Sequence, residues 1–321
     1  MGPDQPDESD VPPDGHIDRR DDEAGAARPA RPSGTEAETR SRQECYDALR
    51  IADARQKSVA AQRITAEEQA ATDKWNENVA ESRWMWTEYQ RKWPSSERAS
   101  SDKPDDPSST WRGEGKRVLE RADNDQVEAA CDRIAERERD KITPAMRAIE
   151  SQDPDRHLVG LDDCRKGRDR IKEKVYDTVK ERGHSLEDAV SLISDAIRYT
   201  LQYRESRYTQ GVWADIGRLK EQGFELHKLK NSWSKDQYKG VNTQWIDPDT
   251  RQRFEVQFHT SISLEAKQLT HDAYKRLRSH QADKFEELVL EAFQKKVAAD
   301  VPVPLGATDI PHYQQRGSDA R

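Results

Sequence analysis

Between Phe254 and Thr260 the chain alternates with a period of two, and no other stretch restricts the fold as tightly. Phe254, Val256 and Phe258 share one face of an extended chain, while Glu255, Gln257 and His259 share the other. Such a strand needs apolar cover behind it and either solvent or a ligand in front. Alone, the heptapeptide reads as a surface strand with a polar outer face. Its surroundings turn that face toward a site.

Three more strands precede it: Asp195–Tyr203, Phe224–Lys230 and Gly240–Ile246. The turn Asp247-Pro-Asp-Thr250 is short enough to join the third to Gln252–Thr260 as an antiparallel hairpin. Between the first two strands, Tyr208–Gln222 is an amphipathic helix with Val212, Ile216 and Leu219 inward. A basic helix runs from Asp163 to about Arg182 and is closed by Gly183, and Ser185-Leu-Glu-Asp188 caps the next one. Two helices follow the last strand, the first with Ile262, Ala266, Leu269, Ala273 and Leu277 as its buried stripe, the second over Ala282–Ala298. The pattern predicts an α+β fold, a small mixed β-sheet backed by helices and preceded by a long helical N-terminal region.

Of the 321 residues only 33% are hydrophobic and 36% are charged, so part of the chain lacks the means to bury a core. Residues 1–40 are expected to be a disordered tail and 41–93 a helical arm. On that arm Trp75, Val79, Ser82, Trp86, Tyr89 and Trp93 recur at steps of three and four, a stripe suited to docking on the body, a partner or a second copy. Glu77, Glu81 and Glu88 among the rings argue against a nucleic-acid stacking platform. A Ser/Asp/Pro linker is expected over 94–113, a helical region over 114–160, the sheet domain over 161–300 and an extended tail over 301–321. The net charge of −8 excludes polyanion binding by the surface as a whole, so any phosphate site must be local. Cys45, Cys131 and Cys164 are widely spaced and suit a reducing compartment; with no signal peptide or membrane span legible, the expectation is a cytoplasmic protein that does not engage membrane, with delivery as an effector left open.

Asp195 heads the first strand and Glu255 lies on the last, so two carboxylates at one end of a small sheet would offer oxygen ligands to Mg²⁺. Positive charge is available on the Arg165–Lys180 helix, on Arg198, and on Lys228, Lys230 and Lys239. A hard cation with lysines and arginines around it is what phosphoryl or pyrophosphoryl transfer needs, because charge builds on the phosphate oxygens. Tyr238 can stack a base. No P-loop and no nucleophile elbow occurs, and the His271-Asp272 dipeptide lacks the further ligands of a metal phosphohydrolase.

Taken together, Ile193-Ser-Asp-Ala-Ile-Arg-Tyr-Thr200, Lys230-Asn-Ser-Trp, Tyr238-Lys-Gly-Val-Asn242 and Phe254-Glu-Val-Gln-Phe-His-Thr260 resemble the RelA/SpoT synthetase domain. Within that group the chain looks most similar to the actinobacterial ATP:nucleotide 3′-pyrophosphokinases, over about residue 140 onward. The resemblance implies a nucleotidyltransferase fold of the polymerase-β type and transfer of the β,γ-pyrophosphate of ATP to the 3′-hydroxyl of a purine nucleotide, GDP/GTP or ADP/AMP. It implies Asp195 and Glu255 as the catalytic, Mg²⁺-binding pair; Arg170, Lys172, Lys180 and Arg198 on ATP; and Tyr238, Lys230, Lys239, Asn242 and His259 on the acceptor. Asn242 stands where the housekeeping enzymes have histidine, His259 where they have arginine, and Ser234 where they have lysine. Arg198 follows Asp195 by three residues instead of five, and a regular strand would set the two on opposite faces. Gln257 acquires no role. Two alternatives stand beside this reading: a toxin-like member acting on tRNA 3′ ends, and a non-catalytic nucleotide-binding protein that works through its helical arm.

Overall fold

The structure is a computed structural model that describes residues 66–92, 109–279 and 282–315. All of them belong to the unit Asp53–Arg321. The expected disordered tail, the first part of the arm and most of the linker, with Trp93, lie outside the described residues.

The helical arm is α1, Ala66–Lys92. A two-stranded ribbon, β1 (Trp111–Arg112) and β2 (Val118–Leu119), leads into α2, Arg121–Arg137. A single π turn, Glu138–Ile142, joins α2 to α3, Thr143–Glu150. The body continues with β3 (Arg156–Val159), α4 (Arg168–Arg182), α5 (Leu186–Ser191) and β4 (Arg198–Tyr203). Next come α6 (Tyr208–Glu221), β5 (Glu225–Asn231), β6 (Val241–Ile246) and β7 (Arg253–Thr260). The chain closes with α7 (Ser261–Arg278), α8 (Lys284–Ala299) and β8 (Tyr313–Gln314).

Six strands form one mixed sheet in the order β3-β4-β7-β6-β5-β8, in which β4 and β7 run parallel and the other pairs antiparallel. The chain is therefore α+β, with a mixed sheet and N-terminal helices. Two strands lie where the sequence reads otherwise. β3 falls inside the expected helical region, and β8 takes what reads as an extended tail back to the sheet edge beside β5. The Asn231 side-chain amide fastens that return by donating to the carbonyls of Ala307 and Ile310, each at 2.8 Å.

The back of the sheet is apolar because the alternation of β7 continues across its neighbours. Phe254, Val256 and Phe258 are fully buried, with Tyr199 and Leu201 on β4 and Val241 and Trp245 on β6. Each such side chain contributes roughly 1.5–3 kcal/mol of burial. α6 packs behind them through Tyr208, Val212, Ile216 and Leu219, and the Tyr208 hydroxyl donates to the Phe258 carbonyl at 2.9 Å. α3 reaches the same face, where the hydroxyls of Thr143 and Tyr199 lie 2.6 Å apart.

α1 docks on α7 and α8. Trp75, Val79, Ser82 and Trp86 are buried, and the Trp86 ring stacks between Tyr89 and Phe293, at 4.8 and 4.9 Å between centroids. Arg83 pairs with Glu265 on α7, and the Tyr89 hydroxyl donates to Glu286 on α8 at 2.5 Å. No helix among the described residues is long and apolar enough to cross a membrane.

Candidate active site

Register places the polar residues of four strands on the front face. Glu255 lies between Arg198 of β4 and Gln244 of β6, and Gln257 lies between Thr200 and Asn242. Lys230 pairs with Asn242, which extends the row onto β5. α7 leaves the end of β7 through a capping box of Thr260 and Ser263 and returns along this face, carrying Lys267 and His271.

Asp195 sits in the turn between α5 and β4, and three backbone bonds fix that turn. Lys166 N–H donates to Ala196 O (2.9 Å), Arg198 N–H to Cys164 O (2.7 Å), and Glu255 N–H to Ile197 O (2.9 Å). Lys174 of α4 reaches both carboxylate oxygens of Asp195, at 2.6 and 2.7 Å, and Lys166 lies 3.5 Å away. Burial opposes the charge of Asp195, yet Lys166, Lys174 and Arg198 outweigh it and hold the carboxyl below its ordinary range. Burial also lowers Lys166, against the pull of Asp195. Arg198 thus lies close enough to act on Asp195, although strict alternation would set the two on opposite faces. Residues 195–197 form a turn and an isolated bridge, so the two-residue period begins only at Arg198.

The other half of the front face is a hydrogen-bonded chain. The Tyr238 hydroxyl bonds Asn242 Oδ1 at 2.7 Å and His259 Nε2 at 2.9 Å, and His259 Nδ1 meets Ser263 Oγ at 2.9 Å. Burial, with Lys267 nearby, pushes His259 well below the ordinary imidazole range, so the ring is neutral; burial and the Glu255 charge raise the Tyr238 phenol. Gly240 lets the loop close over this ring. Its φ is +151°, and a Cβ there would come 2.8 Å from His259 Cε1 and 3.1 Å from the Phe258 carbonyl. Gln257, without a role in the sequence, connects two site residues: its amide donates to Glu255 Oε1, and its carbonyl accepts from Lys267 Nζ at 2.5 Å.

Several expected contacts fall elsewhere. Lys172 does not face the Asp195 cluster: it is fully buried, paired with Glu128, and 6.0 Å from the centroid of Trp111. Two residues along a helix is a turn of about 200°, so Lys172 leaves on the flank of α4 opposite Lys174. Arg170 is on the Lys174 flank but pairs with Glu173 at 2.9 Å. Lys180, exposed and a turn and a half beyond Lys174, lies 5.9 Å from the Tyr176 ring. Lys239 caps its own loop, donating to Trp233 O (3.0 Å) and Lys235 O (2.6 Å). His259 is wholly buried beneath Tyr238, where it supports the ring instead of touching a ligand. Sequence reasoning missed Lys166, Lys174 and Lys267 as individual site residues. The stripe Ile171, Val175 and Val179 held the phase that separates Lys174 from Lys172.

Asp195 and Glu255 are the carboxylates that would hold Mg²⁺. Among the described residues no three His, Cys, Asp or Glu side chains converge on one point. The chain offers an incomplete shell, which is how Mg²⁺ is commonly held when substrate phosphates supply the rest. The Lys174 ammonium, within 2.7 Å of both Asp195 oxygens, stands where a cation is welcome, so the carboxylate fits the ion. A cavity lined by Asp153, Asp155, Tyr203, Arg207, Gln210 and Arg218 lies at the opposite end of β4 and includes none of these residues.

No family model and no curated protein matches the chain. Among the solved structures similar to it are the following three. A Streptococcus mutans protein is 15% identical, with a TM-score of 0.37 over 54% of this chain and 88% of that one. A GTP pyrophosphokinase family protein from Streptococcus pneumoniae is 14% identical, with a TM-score of 0.38 over 54% and 86%. The small alarmone synthetase 1 of Bacillus subtilis is 10% identical, with a TM-score of 0.33 over 49% and 87%.

Proposed function

We propose that the chain transfers the β,γ-pyrophosphoryl group of ATP to the 3′-hydroxyl of a purine nucleotide. The observation that carries this reading is the convergence of Lys166, Lys174 and Arg198 on Asp195, one register step from Glu255 on the neighbouring strand. Three cations around one carboxylate leave a net positive mouth that suits a polyphosphate.

In the reaction the acceptor 3′-oxygen forms a bond to Pβ, the bond from Pβ to the α,β-bridging oxygen breaks, and AMP departs. Lys166, Lys174 and Arg198 neutralise charge on the phosphate chain, which is the main demand of such a transfer. Glu255 orients the hydroxyl, and its proton leaves through that carboxylate to water. Tyr238, held by Asn242 and His259, offers its ring to the acceptor base. Asp195 with Glu255 would hold Mg²⁺ beside the nucleotide phosphates, where it would supply charge neutralisation and polarise the β-phosphoryl oxygens.

The test is γ-labelled ATP incubated with GDP, GTP, ADP, AMP and tRNA, wild type against Asp195→Asn and Glu255→Gln. Label is expected on a free nucleotide, with each variant reduced at least about hundredfold. Label on tRNA would reassign the acceptor to the toxin-like alternative. Nucleotide binding without transfer would favour the non-catalytic one, and near-normal transfer by both variants would refute the mechanism.

A further inference from the structure

Most cations around the candidate site have a carboxylate of their own. Lys166 and Lys174 share Asp195, Arg165 has Glu138, Arg168 has Glu128 and Asp132, and Arg170 has Glu173. Two do not. The Arg198 guanidinium makes no hydrogen bond or ion pair among the described residues, and Lys267 has only the neutral Gln257 carbonyl at 2.5 Å. Both are partly buried. Burial first, and then the charge of nearby Arg198, lowers Lys267 to about 8, while Glu255 pulls the other way. Arg198 also acts on His271, which lies one turn beyond Lys267 and has no hydrogen-bond partner among the described residues. Two partly desolvated positive groups near one another, neither in a salt bridge among the described residues and with Glu255 the carboxylate that bears on Lys267, are placed to gain from an anion that enters beside them.

The Lys267 ammonium is tied to Gln257, two residues from Glu255 on the same face of β7, a spacing of about 6.6 Å along the strand. Arg198 lies across from Glu255 and also acts on Asp195 and Lys166. Arg198 is thus electrostatically shared between the Asp195 lysines on one side and Lys267 on the other. The Gln257 amide fixes both Lys267 and Glu255, so the cation and the hydroxyl-orienting carboxylate are set by one side chain.

We propose that Lys267 and Arg198 form an anion subsite at the transfer point, which takes the pyrophosphoryl group as it passes to the acceptor hydroxyl. The inference rests on the pyrophosphokinase reading for its place in the reaction, but the subsite itself is a binding claim. As the bond from the 3′-oxygen to Pβ forms and the bond from Pβ to the α,β-bridging oxygen breaks, the new negative charge goes to the departing AMP, and the oxygens of the transferred group keep theirs, to be met by Lys267 and Arg198 beside Glu255. Lys267 is the cation on the receiving side.

The probe is inorganic pyrophosphate, titrated calorimetrically into the full chain. Wild type is expected to bind it, Lys267→Gln to weaken binding about tenfold, and Lys267→Arg to remain within about threefold of wild type. An unchanged Kd in Lys267→Gln, or no binding by wild type at millimolar pyrophosphate, overturns the subsite. A second measurement needs no variant: pyrophosphate should protect Lys267 of the unaltered protein from acylation by an amine-reactive ester, read by peptide mass spectrometry. Lack of protection also overturns it. If wild type binds pyrophosphate through Lys267 yet transfers no label from ATP, the subsite stands and the pyrophosphokinase reading falls.

Discussion

Replacing Tyr238 by Phe removes one oxygen and keeps the ring, so it separates the support of the acceptor platform from the platform itself. In the native chain that oxygen bonds Asn242 Oδ1 at 2.7 Å and His259 Nε2 at 2.9 Å. Asn242 is partly exposed and can turn to water, whereas His259 is fully buried and its other nitrogen is already engaged by Ser263. The variant therefore strands a buried ring nitrogen, which costs about 1–3 kcal/mol. Taking about 2 kcal/mol as the middle, the Tm should fall roughly 4–8 °C for a body of this size. Urea unfolding of Tyr238→Phe, His259→Leu and the double variant should give a coupling of at least about 1 kcal/mol. In the transfer assay the KM for the acceptor should rise while that for ATP stays put, because the Asp195 lysines are untouched. The buried imidazole adds a pH signature. Its folded proton affinity lies below that of the unfolded chain, near pH 6.5, so its contribution is fully present above that pH and is lost as pH falls below it. His259→Gln should accordingly lose less stability than wild type between pH 8 and pH 5. A Tm within about 1 °C of wild type for Tyr238→Phe, with no coupling to His259, would refute the support network.

Two further substitutions probe the buried lysine of α4 and the packing of the arm. Lys172→Met should lower stability by about 1–3 kcal/mol, since Glu128 keeps Arg168 as a partner, and should leave binding of a non-hydrolysable ATP analogue within about twofold. A large loss of nucleotide affinity at unchanged stability would return Lys172 to the donor site. Trp86→Ala should destabilise the body by about 3 kcal/mol in urea, because the ring packs between Tyr89 and Phe293 and holds α1 to α8; a change below about 1 kcal/mol would mean that the arm is not docked.

What could be read from the sequence follows from how each residue gains its environment. β7, β6 and β4 were legible because their apolar residues alternate, and alternation is local. β3 was not, because one of its two inward residues, beside Leu158, is Arg156, whose charge is neutralised within the fold by Asp215 of α6 at 3.0 Å. A buried arginine reads as a loop until its partner is known. β8 is two exposed residues paired with β5, and no period can be read from two residues. At the site, Asp195, Glu255, Arg198 and Tyr238 came from their order along the chain. The basic helix α4 was seen as a run of charge, but its phase decides the roles: Lys174 faces Asp195, Lys172 faces Glu128, and Lys180 faces neither.

The front of the sheet also explains why its departures occur together. The resemblance puts an arginine at position 259 and a histidine at 242, and here those positions hold a neutral histidine and an asparagine that jointly grip one tyrosine hydroxyl. An arginine at 259 would bring a charge into this wholly buried place and would need a counter-charge beneath the ring. With the ring of His259 neutral, the positive charge on this part of the face is carried by Lys267 of α7, close enough to bear on His259 itself. Lys267 is positioned by Gln257, and α7 is held in turn by Arg83 of the arm through Glu265, two residues before Lys267. The arm thus braces the helix that delivers the unpaired lysine, and loosening α1 should first be felt in pyrophosphate affinity, before the sheet itself is disturbed.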